Sequence, residues 1–179
     1  MAHEYSSLTI FADALFIVAI VALIVINLKS LILPNVITLP GIVIALLLRL
    51  VVPMEEPHIQ WLNLSLGLKA PTASLVFGIA GAIIGGGALW LVRSGWKQIR
   101  GVELLAFGDI KMMCMIGAYL GIVKTLLVLA LVLCAMLPLT ILIVLTLRRR
   151  RDSLLLPSGF IWGVPAIIVT VLSETVVAF

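Results

Sequence analysis

The stretch Leu8–Gly41, LTIFADALFIVAIVALIVINLKSLILPNVITLPG, decides the fold. Residues 8–26 carry a single charge, Asp13. As a helix they extend about 28 Å, close to the roughly 30 Å hydrocarbon thickness of a bilayer. The character then changes abruptly: Asn27, Lys29, Ser30, Asn35 and Thr38 arrive within twelve residues, together with Pro34 and Pro40. A run that crosses an apolar medium and then concentrates polar groups at its far end reads as a membrane helix with a polar site at one face.

The rest of the chain repeats this pattern. Further apolar runs cover Val36 to Val52, Thr72 to Val92, Phe107 to Gly121, Thr125 to Leu147 and Phe160 to Val177, giving about six candidate spans with the first. Of the 179 residues 63% are hydrophobic and 11% charged, far from the roughly 45–50% apolar content of a soluble domain. The runs are too long, and too poor in polar alternation, for barrel strands, so the backbone must satisfy itself as helices. The expected fold is all-α, a polytopic membrane helical bundle forming one membrane-embedded domain over residues 1–179. The opening MAHEYSS carries Glu4 and neither Lys nor Arg, unlike a secretory signal, so the first run is expected to be retained.

The net charge of +4 does not indicate a nucleic-acid partner, because the cations sit in short clusters beside apolar runs. Lys29, then Arg93, Lys97 and Arg100, then Arg148 to Arg151 follow the first, third and fifth runs, whereas Arg49, Lys69 and Lys124 fall on the other side. The positive-inside bias therefore predicts cytoplasmic odd-numbered loops, with Asn27 and Asp109 on the cytoplasmic side. Cys114 and Cys134 lie in apolar runs without CxxC pairing, and His3 and His58 lack ligand spacing, so no metal is expected. Gly78, Gly81 and Gly85 to Gly87 precede no GK[ST] sequence and read as surfaces for close helix packing. Trp90 and Trp96 read as interfacial anchors, and Trp61 in the long outer loop as part of an interfacial segment.

An ionisable group within a span costs about 2.5–3.5 kcal/mol on insertion scales, which makes each one a candidate for function. Asp13 and Glu174 fall near the outer ends of their runs, where Lys69 or Lys124 would pair with them. Asp109 stands at the mouth of a short run, LLAFGDIKMMCMIGAYLG, two residues before Lys111. It reads either as a helix cap favoured by the macrodipole or as a functional carboxylate, and the arrival of Asn27 at the same membrane face favours the second. Two carboxylates meeting in a low-dielectric pocket share a proton and divide the roles of base and acid. Asp13 lies about 21 Å of helix away from position 27. Glu103 is a further acid in the loop before Asp109.

Two quoted segments carry a family resemblance. NLKSLILPNVITLPG, with Pro34, Asn35, Thr38, Leu39, Pro40 and Gly41 in register, and AFGDIKMMCMIGAYLG are similar to the paired motifs of type IV prepilin peptidases, the membrane aspartyl proteases of bacteria. Near the C-terminus LPSGFIWGVPA resembles a third family segment less closely. The resemblance implies a peptidase domain in the cytoplasmic membrane with its site facing the cytoplasm. It implies no cofactor, and as partners the precursors of pilins or pseudopilins, the bilayer and components of a pilus or secretion assembly. Residues 27 and 109 would be the catalytic pair, with Gly108 adjoining the acid. Lys111 would either orient substrate or tune Asp109, or else be an interfacial cation. Two departures stand out. Ala106 replaces the first Gly of G-x-G-D, and Asn27 occupies the place of the first catalytic Asp. An amide nearly matches a protonated carboxyl in shape but is no general base, so the chain as it stands is expected to be inactive or nearly so. Many members also methylate the new N-terminus through a cytoplasmic domain with cysteine pairs, which this sequence lacks. The competing reading, which Asn27 favours, is a non-catalytic membrane scaffold or a small transporter using Asp109 as a proton relay.

Overall fold

The computed structural model describes residues 2–30, 34–52, 67, 69–101, 105–146 and 158–177. Every regular element among them is a helix: α1 (Ala2–Ser30), α2 (Asn35–Val51), α3 (Ala70–Arg100), α4 (Phe107–Thr146) and α5 (Ser158–Val177). Three stretches, Ser7–Ser30, Ala70–Ile99 and Phe107–Ala135, have the length and composition of membrane spans, although the last is divided by a break at Gly121, while Asn35–Val51 and Ile161–Ser173 are apolar but shorter. The chain is an integral membrane protein. Large apolar side chains such as Phe11, Val36, Ile83 and Leu91 face outward, as befits helices whose solvent is lipid. His58, Trp61, Glu103 and Arg148 to Arg151 lie outside the described residues.

Local chemistry sets the helix ends. Extended Pro34 precedes α2, and its carbonyl accepts the N–H groups of Ile37 and Thr38 and the Thr38 hydroxyl. Pro71 sits in the first turn of α3, where its missing N–H costs no helical bond. That helix stops at Gly101, whose φ of 68° and N–H bond to the Lys97 carbonyl form a left-handed cap. At 31 residues α3 measures about 46 Å, longer than a hydrocarbon core, so its polar end extends beyond the membrane.

The expected fourth and fifth runs are two helical segments, labelled together α4, that join directly at Gly121, whose φ of 75° and ψ of −175° are not helical. The break reverses the chain. A Cβ built on Gly81 would overlap the Gly117 carbonyl oxygen and come within 2.7 Å of Gly121, and one on Gly85 would lie 3.1 Å from the Met113 carbonyl oxygen and 3.0 Å from Thr125 Cγ2. Moving up α3 from 81 to 85 therefore means moving down the first segment of α4 and up the second. Both segments pack on the glycine face of α3, which is the close packing expected of those glycines; Gly87, with open space around it, takes no part.

Two readings need correction. Arg49, counted above with the outer-face cations, is fully buried: Nε donates to the Tyr119 carbonyl at 2.8 Å and Nη1 to the Ser74 carbonyl at 3.1 Å. A cation at the bundle interior persists because backbone carbonyls replace its water: the Tyr119 carbonyl sits where the first segment of α4 runs out of helical donors, and the Ser74 carbonyl lies within α3. Asp13 was expected to pair with Lys69 or Lys124. Instead the Tyr119 hydroxyl donates to Asp13 Oδ1 at 2.6 Å, while Lys124 Nζ donates to Ser173 Oγ at 3.2 Å.

Candidate active site

Three contacts set the register of α2 against the first segment of α4. Lys111 Nζ donates to Asn35 Oδ1 at 2.8 Å, Gly41 packs against Met115, and Arg49 reaches Tyr119. The two therefore run in the same direction. Asp13 and Phe16 lie at Tyr119, level with the Arg49 end of α2, whereas α1 ends at Ser30, only five residues before the start of α2, so α1 runs opposite to both; the Phe16 ring stacks on Tyr119 with centroids 4.1 Å apart. From that stack Asn27 lies about 16 Å along α1 and Asp109 about 15 Å along α4, in the same direction. Both sequence-predicted polar residues thus stand at one end of the bundle and at closely similar levels. Both are buried, Asn27 at 1% exposure and Asp109 at 2%, where a polar group needs a partner or a task.

The local structure around Asp109 is a helix start. Ala106 N–H donates to Asp109 Oδ2 at 3.1 Å, and Asp109 N–H donates to the Ala106 carbonyl at 3.1 Å. This is the side-chain half of a capping box, so the carboxylate caps α4 as one reading of the sequence held, and the cap also orients it. Gly108, half-buried, lies between Ala106 and the acid in the first turn. Lys111 is tied to Asn35 and stands 5.8 Å from the Phe107 ring centre. Glu103 is not among the described residues.

Two features escaped the sequence reading. Arg93, counted there as a loop cation, lies within α3 and folds back: its Nη1 donates to the Leu105 carbonyl at 2.9 Å, and its guanidinium sits 4.8 Å from the centre of the Phe107 ring. A cation one helical run ahead of an aromatic residue beside the acid was the available signal. The second feature is an apolar groove of about 270 Å³ between α1, α2 and α4, lined among others by Phe16, Pro40, Gly41, Ala45, Met115 and Tyr119. A Cβ on Gly41 would collide with Met115 Sδ, so the glycine ending the first motif lets α2 lie close to α4. No group of three or more His, Cys, Asp or Glu able to hold a metal occurs among the described residues.

Comparison with known proteins gives this geometry a context. A prepilin leader peptidase/N-methyltransferase of Pectobacterium carotovorum subsp. carotovorum is 30% identical over 102 residues, 57% of this chain and 30% of the relative. One from Burkholderia pseudomallei strain 1026b is 38% identical over 61 residues, 34% of this chain and 20% of the relative. The chain thus spans less than a third of the length of the curated relatives it matches. No solved structure gives a significant match. The type IV leader peptidase family model matches residues 14–142, a stretch that contains positions 27 and 109 and the helices presenting them, and the chain belongs to that family.

Proposed function

We propose that this chain is the peptidase part of a bacterial membrane leader peptidase of the aspartyl type, with positions 27 and 109 as its two catalytic places. The observation that carries the reading is the burial of two polar side chains, from α1 and α4, at one end of the bundle. In this reading the chain crosses the cytoplasmic membrane six times as one domain, Gly121 serving as the tight turn between the fourth and fifth crossings. The cations following the first, third and fifth runs put the site at the cytoplasmic face. The substrates are precursors of pilins or pseudopilins. Their leader junction meets the site while their apolar helix stays in the bilayer.

With Asp at both places, one carboxylate is ionised and the other protonated, because like charges in a low-dielectric site do not both persist. The ionised group takes a proton from water as its oxygen attacks the scissile carbonyl carbon. The protonated group donates to the carbonyl oxygen, and collapse of the tetrahedral intermediate releases the amine with a proton returned from the dyad. Asn27 supplies neither the base nor the proton. Loss of one acid–base partner removes about 10²–10⁴ in rate, so the chain as it stands is inactive or nearly so. Lys111, held by Asn35 at the mouth, is placed to orient the substrate near the cleavage point.

The test restores the acid. Reconstituted Asn27→Asp protein is incubated with a prepilin-like substrate beside the unaltered chain and the Asn27→Asp/Asp109→Asn double variant, and leader removal is followed by gel mobility. Cleavage by Asn27→Asp alone is the expected result. Cleavage by the unaltered chain would show that position 27 is misassigned. No cleavage by any form would favour the scaffold or proton-relay reading that Asn27 itself suggests.

A further inference from the structure

We infer that Arg93 is a positioning residue that locks the Asp109 carboxylate through one shared peptide group. Two hydrogen bonds already described meet on the same amide: the Leu105 carbonyl that accepts from Arg93 and the Ala106 N–H that donates to Asp109 Oδ2 are the two ends of the peptide joining residues 105 and 106. A peptide unit is planar and conjugated, so fixing its carbonyl fixes the direction of its N–H. A cationic donor on the carbonyl also polarises the unit, making the N–H a stronger donor. Arg93 thereby acts on the acid through the peptide unit.

The remaining contacts give that clamp a rigid base. Arg93 is half-buried near the end of α3, a helix held against α4 by the backbone contact of Gly81 with Gly117. Its guanidinium lies over Phe107, the first residue of α4, while donating to Leu105. One planar group thus grips both sides of the turn that launches the acid. A lysine ammonium is able to reach the carbonyl but lacks the flat face for the ring and the fixed fork of donors. The alternative, in which Arg93 serves only as an interfacial positive charge, predicts that lysine substitutes fully.

Arg93→Lys, Arg93→Leu and Phe107→Leu in the reconstituted full chain, made both as it stands and in the Asn27→Asp form, separate the two. Residue-resolved amide exchange on the chain as it stands should show the Ala106 N–H exchanging at least about tenfold faster in Arg93→Leu, with Arg93→Lys and Phe107→Leu in between, while amides in the middle of α3 and α4 keep their rates. In the Asn27→Asp form kcat should fall in the same order, by about tenfold or more for Arg93→Leu, with KM within about twofold. Unchanged exchange at Ala106, uniformly faster exchange along both helices, or Arg93→Lys indistinguishable from arginine would each overturn the inference. The effect on rate rests on the proposed dyad and the exchange arm does not. Absence of cleavage in Asn27→Asp itself would therefore count against the proposed function, leaving exchange to decide the role of Arg93.

Discussion

The first segment of α4 has a buried charged side chain at each end, and the two ends differ in kind. At its start Asp109 complements the positive end of the helix, and at its close the guanidinium of Arg49 takes the Tyr119 carbonyl at the negative end, each as the macrodipole favours. The Arg49 end is closed. Its donors go to backbone carbonyls of α3 and α4, and a Cβ at Gly121 would meet the guanidinium. The Asp109 carboxylate is buried as well, but its neighbours are side chains, with Phe107 exposed and Arg93 and Lys111 half-buried around the turn. Charge at a helix end is common to both, so it does not distinguish function. What differs is the surroundings: backbone carbonyls and a glycine turn at Arg49, and the side chains of Arg93, Phe107 and Lys111 about the turn at Asp109.

That contrast is open to attack by substitution. The largest effect is expected at the packing that both ends depend on: Gly117→Val forces α3 away from α4 where their backbones touch, and should abolish recovery of folded protein in detergent. Next, Arg49→Met leaves the Tyr119 carbonyl, at the end of its helical segment, without its buried donor, at about 1–3 kcal/mol, and removes the second bond to the Ser74 carbonyl within α3. Its unfolding midpoint in SDS should fall accordingly, and an unchanged midpoint would remove the case for a structural end. Tyr119→Phe takes the donor from Asp13 and should cost about 1–3 kcal/mol in the same assay, with the groove beside it intact. The smallest change in stability is expected for Asp109→Asn, within about 1 kcal/mol, since an amide oxygen at that position still accepts the Ala106 N–H. The same substitution should abolish cleavage in the Asn27→Asp form. Should Asp109→Asn destabilise as much as Arg49→Met, the two ends would be alike and the carboxylate merely structural.

Much of the bundle was legible because lipid leaves the chain few options. Long apolar runs without alternation become helices, and the polar cluster from Asn27 to Thr38 marks the end of the first. Loop charges placed residues 27 and 109 at one face, and the register set by Asn35 with Lys111 and Phe16 with Tyr119 puts them at one end of the bundle by an independent route. The roles of the cations were not legible. Hydropathy treats an arginine at the end of a run as exposed, yet Arg49 is buried by helices remote in sequence and Arg93 folds onto the turn before α4. Asp13 went to Tyr119 rather than to a lysine for the same reason: the partner depends on the register between helices, which the pattern of one helix does not contain.

By itself the sequence determined that this is a membrane protein of helices and where its polar groups fall along each helix, the amide of Asn27 among them. Backbone hydrogen bonding in lipid and side-chain chemistry are local, so residue identity suffices for those. The break between the fourth and fifth runs was legible at Gly121; only the tertiary structure decided that the two segments join there directly, that a buried guanidinium lies against the turn, and that Leu105 and Ala106 link Arg93 to Asp109. These depend on which backbone surfaces meet at van der Waals distance, a property of several segments together.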